Sequence, residues 1–293
     1  MGFRTVIIKS RAKLELRLNS LIIRGEQEKK IYIGEINTLI VQSTAVSLTA
    51  SLLSELVKNN IKVIFCDEKH NPQAELIPYY GAHNTSKKIK EQMAWDCIAK
   101  GRVWQEIIKR KIACQAEHLA DCDFCEQAEL LRSYVNDVAE NDCTNREGHA
   151  AKVYFNCILG MGNSRKGGGF LNGCLNYGYA VLLSAFNREI SAAGYLTQLG
   201  IWHDNEFNQF NLACDLMEPF RVVVDRAALA IEEGDKDFKK KMANVLNYNA
   251  VVEEKNTTLD LAIRHYARSV FHALEKGDEK LIVFPQKIEP NEL

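Results

Sequence analysis

The segment GIWHDNEFNQFNLACDLMEPFR, residues 200–221, sets His203, Asp204, Glu206, Asp215 and Glu218 among aromatic and aliphatic residues. Carboxylates beside a neutral imidazole can hold a hard divalent cation, and such a cation can activate a phosphodiester. A buried carboxylate needs a cation, a metal or a set of hydrogen bonds, so the mixture demands an account. His203 and Glu218 lie fifteen positions apart. On one straight helix that is ~22 Å, so they can share a ligand only if the chain turns between them. HDNEFNQ is polar enough for that turn. A helix starting near Asn208 would place Asn208, Asn211, Asp215 and Glu218 on one face. Pro219 disfavours helical geometry at Glu218 and can open a new helix, PFRVVVDRAALAIEEG, as its first residue. The same residues also fit a solvated polar helix face with His203 in a loop. Spacing leaves both readings open, although IWH and LACDLMEPF are apolar for a plain surface.

A further carboxylate stands in TNREGHAAKVYFNCILG. As a helix this segment aligns Glu147, Ala150, Ala151, Tyr154, Phe155 and Ile158, an acid on an apolar stripe. Glu147 either meets a cation there or, as the last residue of Thr144-x-x-Glu147, closes a capping box at the helix start. GFLNGCLNYGYAVLLSAFNREISAAGYLTQLGIWH reads as a long buried helix returning to His203, with Asn172 and Asn176 on one face. Gly178 in its middle favours close packing, and Tyr177 and Tyr179 read as core. The loop GMGNSRKGGGF lacks the Gly-Lys-Ser/Thr of a phosphate loop. It reads as a mobile loop carrying Arg165 and Lys166. His118, Cys122 and Cys125 could form half of a zinc clip, but the second half is missing. A turn between two helices is the plainer reading.

The positioning elements follow from the hydrophobic pattern. TVIIK, KLELRL, SLIIR, KKIYIG and TLIVQS alternate like strands and suggest a small meander or sandwich. SLTASLLSELVKNN reads as a helix with Ser47 or Thr49 as N-cap and Asn59-Asn60 as stop, and KVIFCD as one more buried strand. From about Thr85 the period changes to 3.6, with Ile89, Met93, Trp95, Ile98, Val103, Trp104, Ile107 and Ile108 apolar. The expected fold class is α+β: a β-rich, sandwich-like domain over residues 1–72, a linker over 73–86, an all-α catalytic domain over 87–284, and a loosely held tail over 285–293. The 293 residues, with 46% hydrophobic and 26% charged, suit a soluble globular protein. A net charge of -1 excludes a polycation, so any nucleic-acid contact must come from local basic patches. No apolar run is long enough for a membrane span. Nine scattered cysteines without an export signal read as reduced and cytoplasmic.

Together, NREGHAAKVYF, LNYGYAVLLSAFNREISAAGYLTQLGIWH and FNLACDLMEPFR resemble the CRISPR-associated adaptation integrase family, Cas-one. VIFCDEKHNPQAELIP matches as well, so the resemblance covers nearly the whole chain. It is nearest to variants of type II systems, which carry a glutamate in the last motif. The resemblance implies metal ligation and catalysis by Glu147, His203 and Glu218, with Mg2+ or Mn2+ as cofactor. It implies supporting roles for Asp215, Tyr177 and Asn176, Tyr177 standing near the DNA end. The glycine-rich RKGGGFLNG departs from the family, where the approach to the asparagines is often more acidic. The implied activity joins the 3′-hydroxyl ends of short DNA fragments to a CRISPR repeat by transesterification. A stand-alone endonuclease on branched DNA and a non-catalytic DNA-binding scaffold are the alternatives. Implied partners are a second copy of the chain, bound through the β domains, a Cas-two dimer in a heterohexamer, and double-stranded DNA. The resemblance leaves room for other type II adaptation proteins. Arg146, Lys152, Arg165, Lys166, Arg188 and Arg221 are the leading candidates for DNA contacts. Lys87, Lys88 and the Lys239-Lys240-Lys241 run are further basic candidates.

Overall fold

The computed structural model describes residues 4–79, 82–160 and 168–290. The chain divides into two compact units, Met1–His83 and Asn84–Leu293. The first contains β1 (Arg4–Ile8), β2 (Ala12–Arg17), β3 (Ser20–Arg24), β4 (Glu28–Tyr32), β5 (Ile36–Val41), β6 (Val46–Leu48), α1 (Ala50–Lys58), β7 (Lys62–Cys66) and β8 (Pro72–Glu75). Two four-stranded sheets form, in the orders β1-β5-β7-β8 and β4-β3-β2-β6. Alternation along each strand sends one face inward. Leu14 and Leu21 of one sheet, Leu39 and Val63 of the other, and Leu52 and Leu56 of α1 share one core. Leu18 and Asn19, with φ of 47° and 53°, make the two-residue turn between β2 and β3, whose twist suits a hairpin. Thr49 caps α1 by accepting from Leu52 N at 3.4 Å.

The strands are not a simple meander. β1 and β7 both run parallel to β5, and a crossover through α1 leads to β7. β8 begins at Pro72 and pairs antiparallel with β7, so a strand occupies residues expected to be linker. Proline is tolerated at the first residue of an edge strand, and the buried Lys62–Glu75 ion pair ties β8 to β7.

The second unit is mostly helical. Its helices are α2 (Thr85–Met93), α3 (Cys97–Asp121), α4 (Cys125–Asp137), α5 (Arg146–Leu159), α6 (Phe170–Ala192), α7 (Asn211–Met217), α8 (Arg221–Leu229), α9 (Phe238–Ala243) and α10 (Leu259–Lys276). The long periodic segment breaks at Asp96, whose carboxylate caps α3 by accepting from Ala99 N at 2.9 Å. Val103, Trp104, Ile107, Ile108 and Ile112 are buried along α3, whereas Met93 and Ile98 face solvent. Gly178 of α6 is buried where a Cβ would collide with Val224 of α8 and Met242 of α9. Arg188 and Glu189 of α6 form a buried ion network with Asp260 and Arg264 of α10. Among the described residues no helix is long and apolar enough to cross a membrane.

This unit also carries a three-stranded sheet, β9 (Asn249–Val252), β10 (Lys255–Thr258) and β11 (Lys287–Glu289). The β9–β10 turn is made by Glu253 and Glu254, with φ of 49° and 65°. Asn-Gly or Asp-Gly usually marks such a turn, so nothing in the local composition announced it. β11 pairs with β9, and Gln286 N donates to Val251 O at 2.8 Å. Lys287–Glu289, within the tail expected to be loose, are therefore held as an edge strand. Gly178→Val should lower stability by at least about 2 kcal/mol in chemical denaturation, through overpacking against α8 and α9.

Candidate active site

His203 is delivered by the connection between α6 and α7, which is held by three side chains, one from α2 and two from α7. Gln92 of α2 donates to Leu196 O at 2.9 Å and Leu199 O at 2.8 Å, and its oxygen accepts from Leu196 N at 2.9 Å. Asn211 donates to Gln198 O and Asn205 O, each at 3.1 Å. The strongest hold is Asp215, fully buried, whose carboxylate accepts from Ile201 N at 2.6 Å and from Trp202 N and His203 N at 3.1 Å each. Its Oδ1 also takes the His203 Nδ1 proton at 2.6 Å. That contact fixes the imidazole by its Nδ1 side and leaves Nε2 for another partner. Gly200 makes the curl feasible, since a Cβ there would meet His203 O and Asp215 Oδ2. Below the loop, Trp202 stacks on the buried Trp104 at 5.8 Å and 10°, and the His203 ring meets Trp104 edge-on at 5.7 Å.

Glu147 enters from the first turn of α5. The capping box does not form: Thr144 Oγ1 donates to Asp137 O, and Asp142 accepts from Arg146 N at 2.8 Å and Glu147 N at 3.0 Å. Relieved of a capping role, Glu147 Oε1 takes the Lys111 ammonium at 2.5 Å. The second carboxylate, Glu218, is buried on a 3-10 turn, Glu218–Phe220, between α7 and α8. Its φ and ψ of -52° and -46° are helical. The break at Pro219 is thus a tightening into 3-10 geometry, and the next helix starts at Arg221 rather than at the proline. α7 likewise begins at Asn211, because the Asn208 side chain instead accepts from Phe210 N at 3.0 Å.

Glu218 divides its two oxygens between cations. Arg221 Nε donates to Oε1 at 2.9 Å, and Lys111 Nζ faces Oε2 at 2.6 Å. Burial pushes the Glu218 carboxyl up, but Lys111 and Arg221 outweigh it and hold it at about 2. Burial likewise pulls Lys111 down, while Glu218 and Glu147 more than compensate and keep it above the ordinary lysine value. The hydrogen bond to Asp215 raises His203 against the effect of burial, and the Asp215, Glu218 and Glu147 charges add to the rise.

Behind Glu218 runs a chain of buried polar groups. The Arg221 guanidinium lies 5.1 Å over the Tyr179 ring, Tyr179 donates to Asp225 Oδ1, and Tyr154 donates to Asp225 Oδ2 at 2.9 Å. Tyr154 has one proton and gives it to Asp225, so it must accept from His118 Nδ1 at 2.6 Å. His118 is committed here by Nδ1, and none of the nine cysteines forms a disulfide.

The remaining sequence candidates separate by burial. Tyr177, expected near a DNA end, is buried with its ring 6.4 Å from Phe238 and Lys239 Nζ 5.7 Å above it. Asn176, Lys152, Asp204 and Glu206 are exposed. Arg188 is no surface cation: it pairs with Glu189 at 2.9 Å and Asp260 at 2.5 Å inside the unit. Arg146 lies beside Asp137 at 3.3 Å and over Tyr134, and Arg221 serves Glu218. Arg165 and Lys166, with Gly167 of the same loop, lie outside the described residues. Gln92 and Lys111 were missed by sequence reasoning. A signal existed for Lys111, a lysine within the apolar stripe of α3 beside Ile107, Ile108 and Ile112.

Among the described residues, no three His, Cys, Asp or Glu side chains already stand close enough together to hold a metal. The donor set nevertheless fits a hard cation. Glu147 and Glu218 share one ammonium as a stand-in ion, and His203 lies within the field of both.

The model of the family described as "CRISPR associated protein Cas1" matches residues 5–254. The chain belongs to the Cas1 family. It is 29% identical over 294 residues to the CRISPR-associated endonuclease Cas1 of Neisseria meningitidis serogroup C (strain 8013), covering 98% of this chain and 97% of the relative. In fold it is similar to a casposase bound to integration product, with TM-score 0.76 and 20% identity over 94% of this chain and 91% of the other. A Cas6-RT-Cas1–Cas2 complex gives TM-score 0.73 and 18% identity over 96% of this chain and 36% of the other. The β-rich unit followed by a mostly helical one is therefore the architecture of a Cas1 protein.

Asp215→Ala should cost about 3–5 kcal/mol in chemical denaturation, because it strands buried N–H donors. Asp215→Asn, which keeps one acceptor oxygen, should cost less. Burial, helped by Arg226, pushes His118 down to about 4 against 6.5 when unfolded. Folded His118 thus stays neutral where the unfolded chain takes up a proton, and stability should fall by roughly 3 kcal/mol as pH drops from 6.5 to 4. That part of the pH dependence should vanish in His118→Gln, measured by denaturant titration at each pH.

Proposed function

We propose that this Cas1-family chain is a divalent-metal-dependent DNA integrase. It would join the 3′-hydroxyl of a short DNA fragment to a phosphodiester at the edge of a CRISPR repeat, once on each strand. The observation that carries the reading is that Glu147 and Glu218, from separate helices, meet on one cation position beside His203. Those three residues would hold Mg2+ or Mn2+, which supplies charge neutralisation at the phosphodiester and orientation of the attacking hydroxyl. The remaining work belongs to the chain. Asp215 holds His203 by Nδ1 and leaves Nε2 for a ligand. Arg221 keeps one Glu218 oxygen in place, so the other is presented to a cation. Asp142 anchors the first turn of α5 and thereby the Glu147 side chain.

In this reading the chain acts as a homodimer formed through the β-rich unit. Two such dimers hold a central Cas2 dimer, and double-stranded DNA, both fragment and repeat, is the substrate. Support comes from the family membership and from the likeness to the Cas1–Cas2 and casposase structures. Lys152, Arg146, Arg165 and Lys166 are the cations proposed for the DNA backbone, and binding through them would weaken steeply with salt.

A second reading, a scaffold whose acids serve only as ion pairs, is favoured by the Lys111 and Arg221 contacts to Glu218. Calorimetric titration separates the two: saturable Mg2+ or Mn2+ binding supports the integrase, and none at millimolar metal supports the scaffold. With its partner, metal, a short duplex and a supercoiled repeat plasmid, the protein should yield joined products. Glu147→Ala, His203→Ala and Glu218→Ala should each reduce joining by more than about a hundredfold with duplex binding little changed. Joining at the wild-type rate by Glu218→Ala would refute the ligand assignment. Nicked products without joined ones would mark a hydrolytic endonuclease.

A further inference from the structure

We propose that Lys111 is the resident cation of the metal site, holding Glu147 and Glu218 together until a divalent metal displaces it. The inference rests on the metal-dependent reading above and assigns a positioning role to a residue outside the proposed ligand set.

Lys111 lies on the buried face of α3, 6% exposed, between Ile108 and Ile112. A lysine in such a place needs full compensation. It obtains this from Glu147 Oε1 at 2.5 Å and Glu218 Oε2 at 2.6 Å. These are the oxygens that the two proposed ligands turn toward each other. A Mg2+ or Mn2+ ion needs carboxylate oxygens at about 2.1 Å, so a metal bridging this pair claims the space that Nζ occupies. A doubly charged ion and an ammonium confined there repel strongly in a poorly screened interior. One must leave, and the flexible four-carbon stem of lysine lets Nζ withdraw without moving α3.

The neighbouring cation differs. Arg221 takes the other Glu218 oxygen through an aligned N–H bond and lies over the Tyr179 ring, so it can stay when the metal enters. Lys111 Nζ instead meets the other oxygen from the end of a flexible stem. Glu218 therefore carries one fixed cation and one exchangeable cation on opposite oxygens. Without Lys111, two carboxylates would face each other across the site before metal arrives.

The test uses the full chain and Lys111→Met, which keeps similar length and offers a thioether that Mn2+ does not favour. Unfolding temperature is measured in EDTA and in Mn2+, and Mn2+ affinity by calorimetry. The variant should melt below wild type in EDTA, gain more from Mn2+, and bind Mn2+ about tenfold or more tightly. Folded Lys111→Met that binds Mn2+ no more tightly than wild type overturns the proposal. A variant that folds only with Mn2+ present supports it. If it folds under neither condition, Lys111→Arg decides, since a guanidinium that bonds both carboxylates withdraws less readily. Weaker Mn2+ binding by Lys111→Arg than by wild type then supports displacement, and equal or tighter binding overturns it. Failure of wild type itself to bind Mn2+ saturably defeats the metal reading on which the proposal stands.

Discussion

The buried carboxylate of Asp215 receives three backbone N–H groups and one imidazole nitrogen, and the placing of His203 depends on all four. The connection that carries His203 has no regular structure of its own. Backbone donors in such a segment need partners when they are buried, and here one side chain on α7 gathers three of them. The same helix turn leads directly to Glu218, so the backbone that fixes the imidazole also fixes a carboxylate. Gln92 and Asn211 extend the hold to both sides of the loop. The site is thus built on packed helices, with its one irregular segment stitched down.

Charge compensation is the second constraint. The helical unit buries Lys111, Arg188, Glu189, Glu218, Asp225 and Asp260. Isolated ions in such places would be costly, and each here meets an opposite charge or a hydroxyl. The Arg188–Glu189–Asp260–Arg264 group ties α6 to α10 and reads as structural. The Glu147–Lys111–Glu218 group differs in kind, because two acids converge on a single lysine. Under the displacement proposed above, one cluster is a brace and the other a position where a cation is exchanged.

Much of this was legible in sequence. Strand alternation marked the β-rich unit, the 3.6 period marked α3, and a mid-helix glycine announced close packing on α6, which α8 and α9 supply. The pairing of a loop histidine with acids twelve and fifteen residues on could be posed from spacing. It could not be decided there, because the partners of Asp215 are backbone groups that any sequence possesses. Lys111 was hidden for another reason: its value depends on carboxylates far along the chain, which periodicity cannot bring together. The basic residues misled in the opposite sense. Arg188 counts as a surface cation in any tally of charge, yet two acids enclose it. The β9–β10 hairpin escaped because two glutamates occupy left-handed positions usually given to asparagine or glycine.

The tryptophans have an optical consequence. The chain has three, and two of them, Trp104 and Trp202, are stacked against each other beside His203, while Trp95 packs on Tyr195. Trp202 is 46% exposed and its backbone is bonded to Asp215. Its emission therefore reports on the loop that presents the imidazole, and the buried Trp104 reports on the same loop from beneath. The protein carries a native fluorophore pair at its candidate active site, and events there can be followed in real time without attaching a dye.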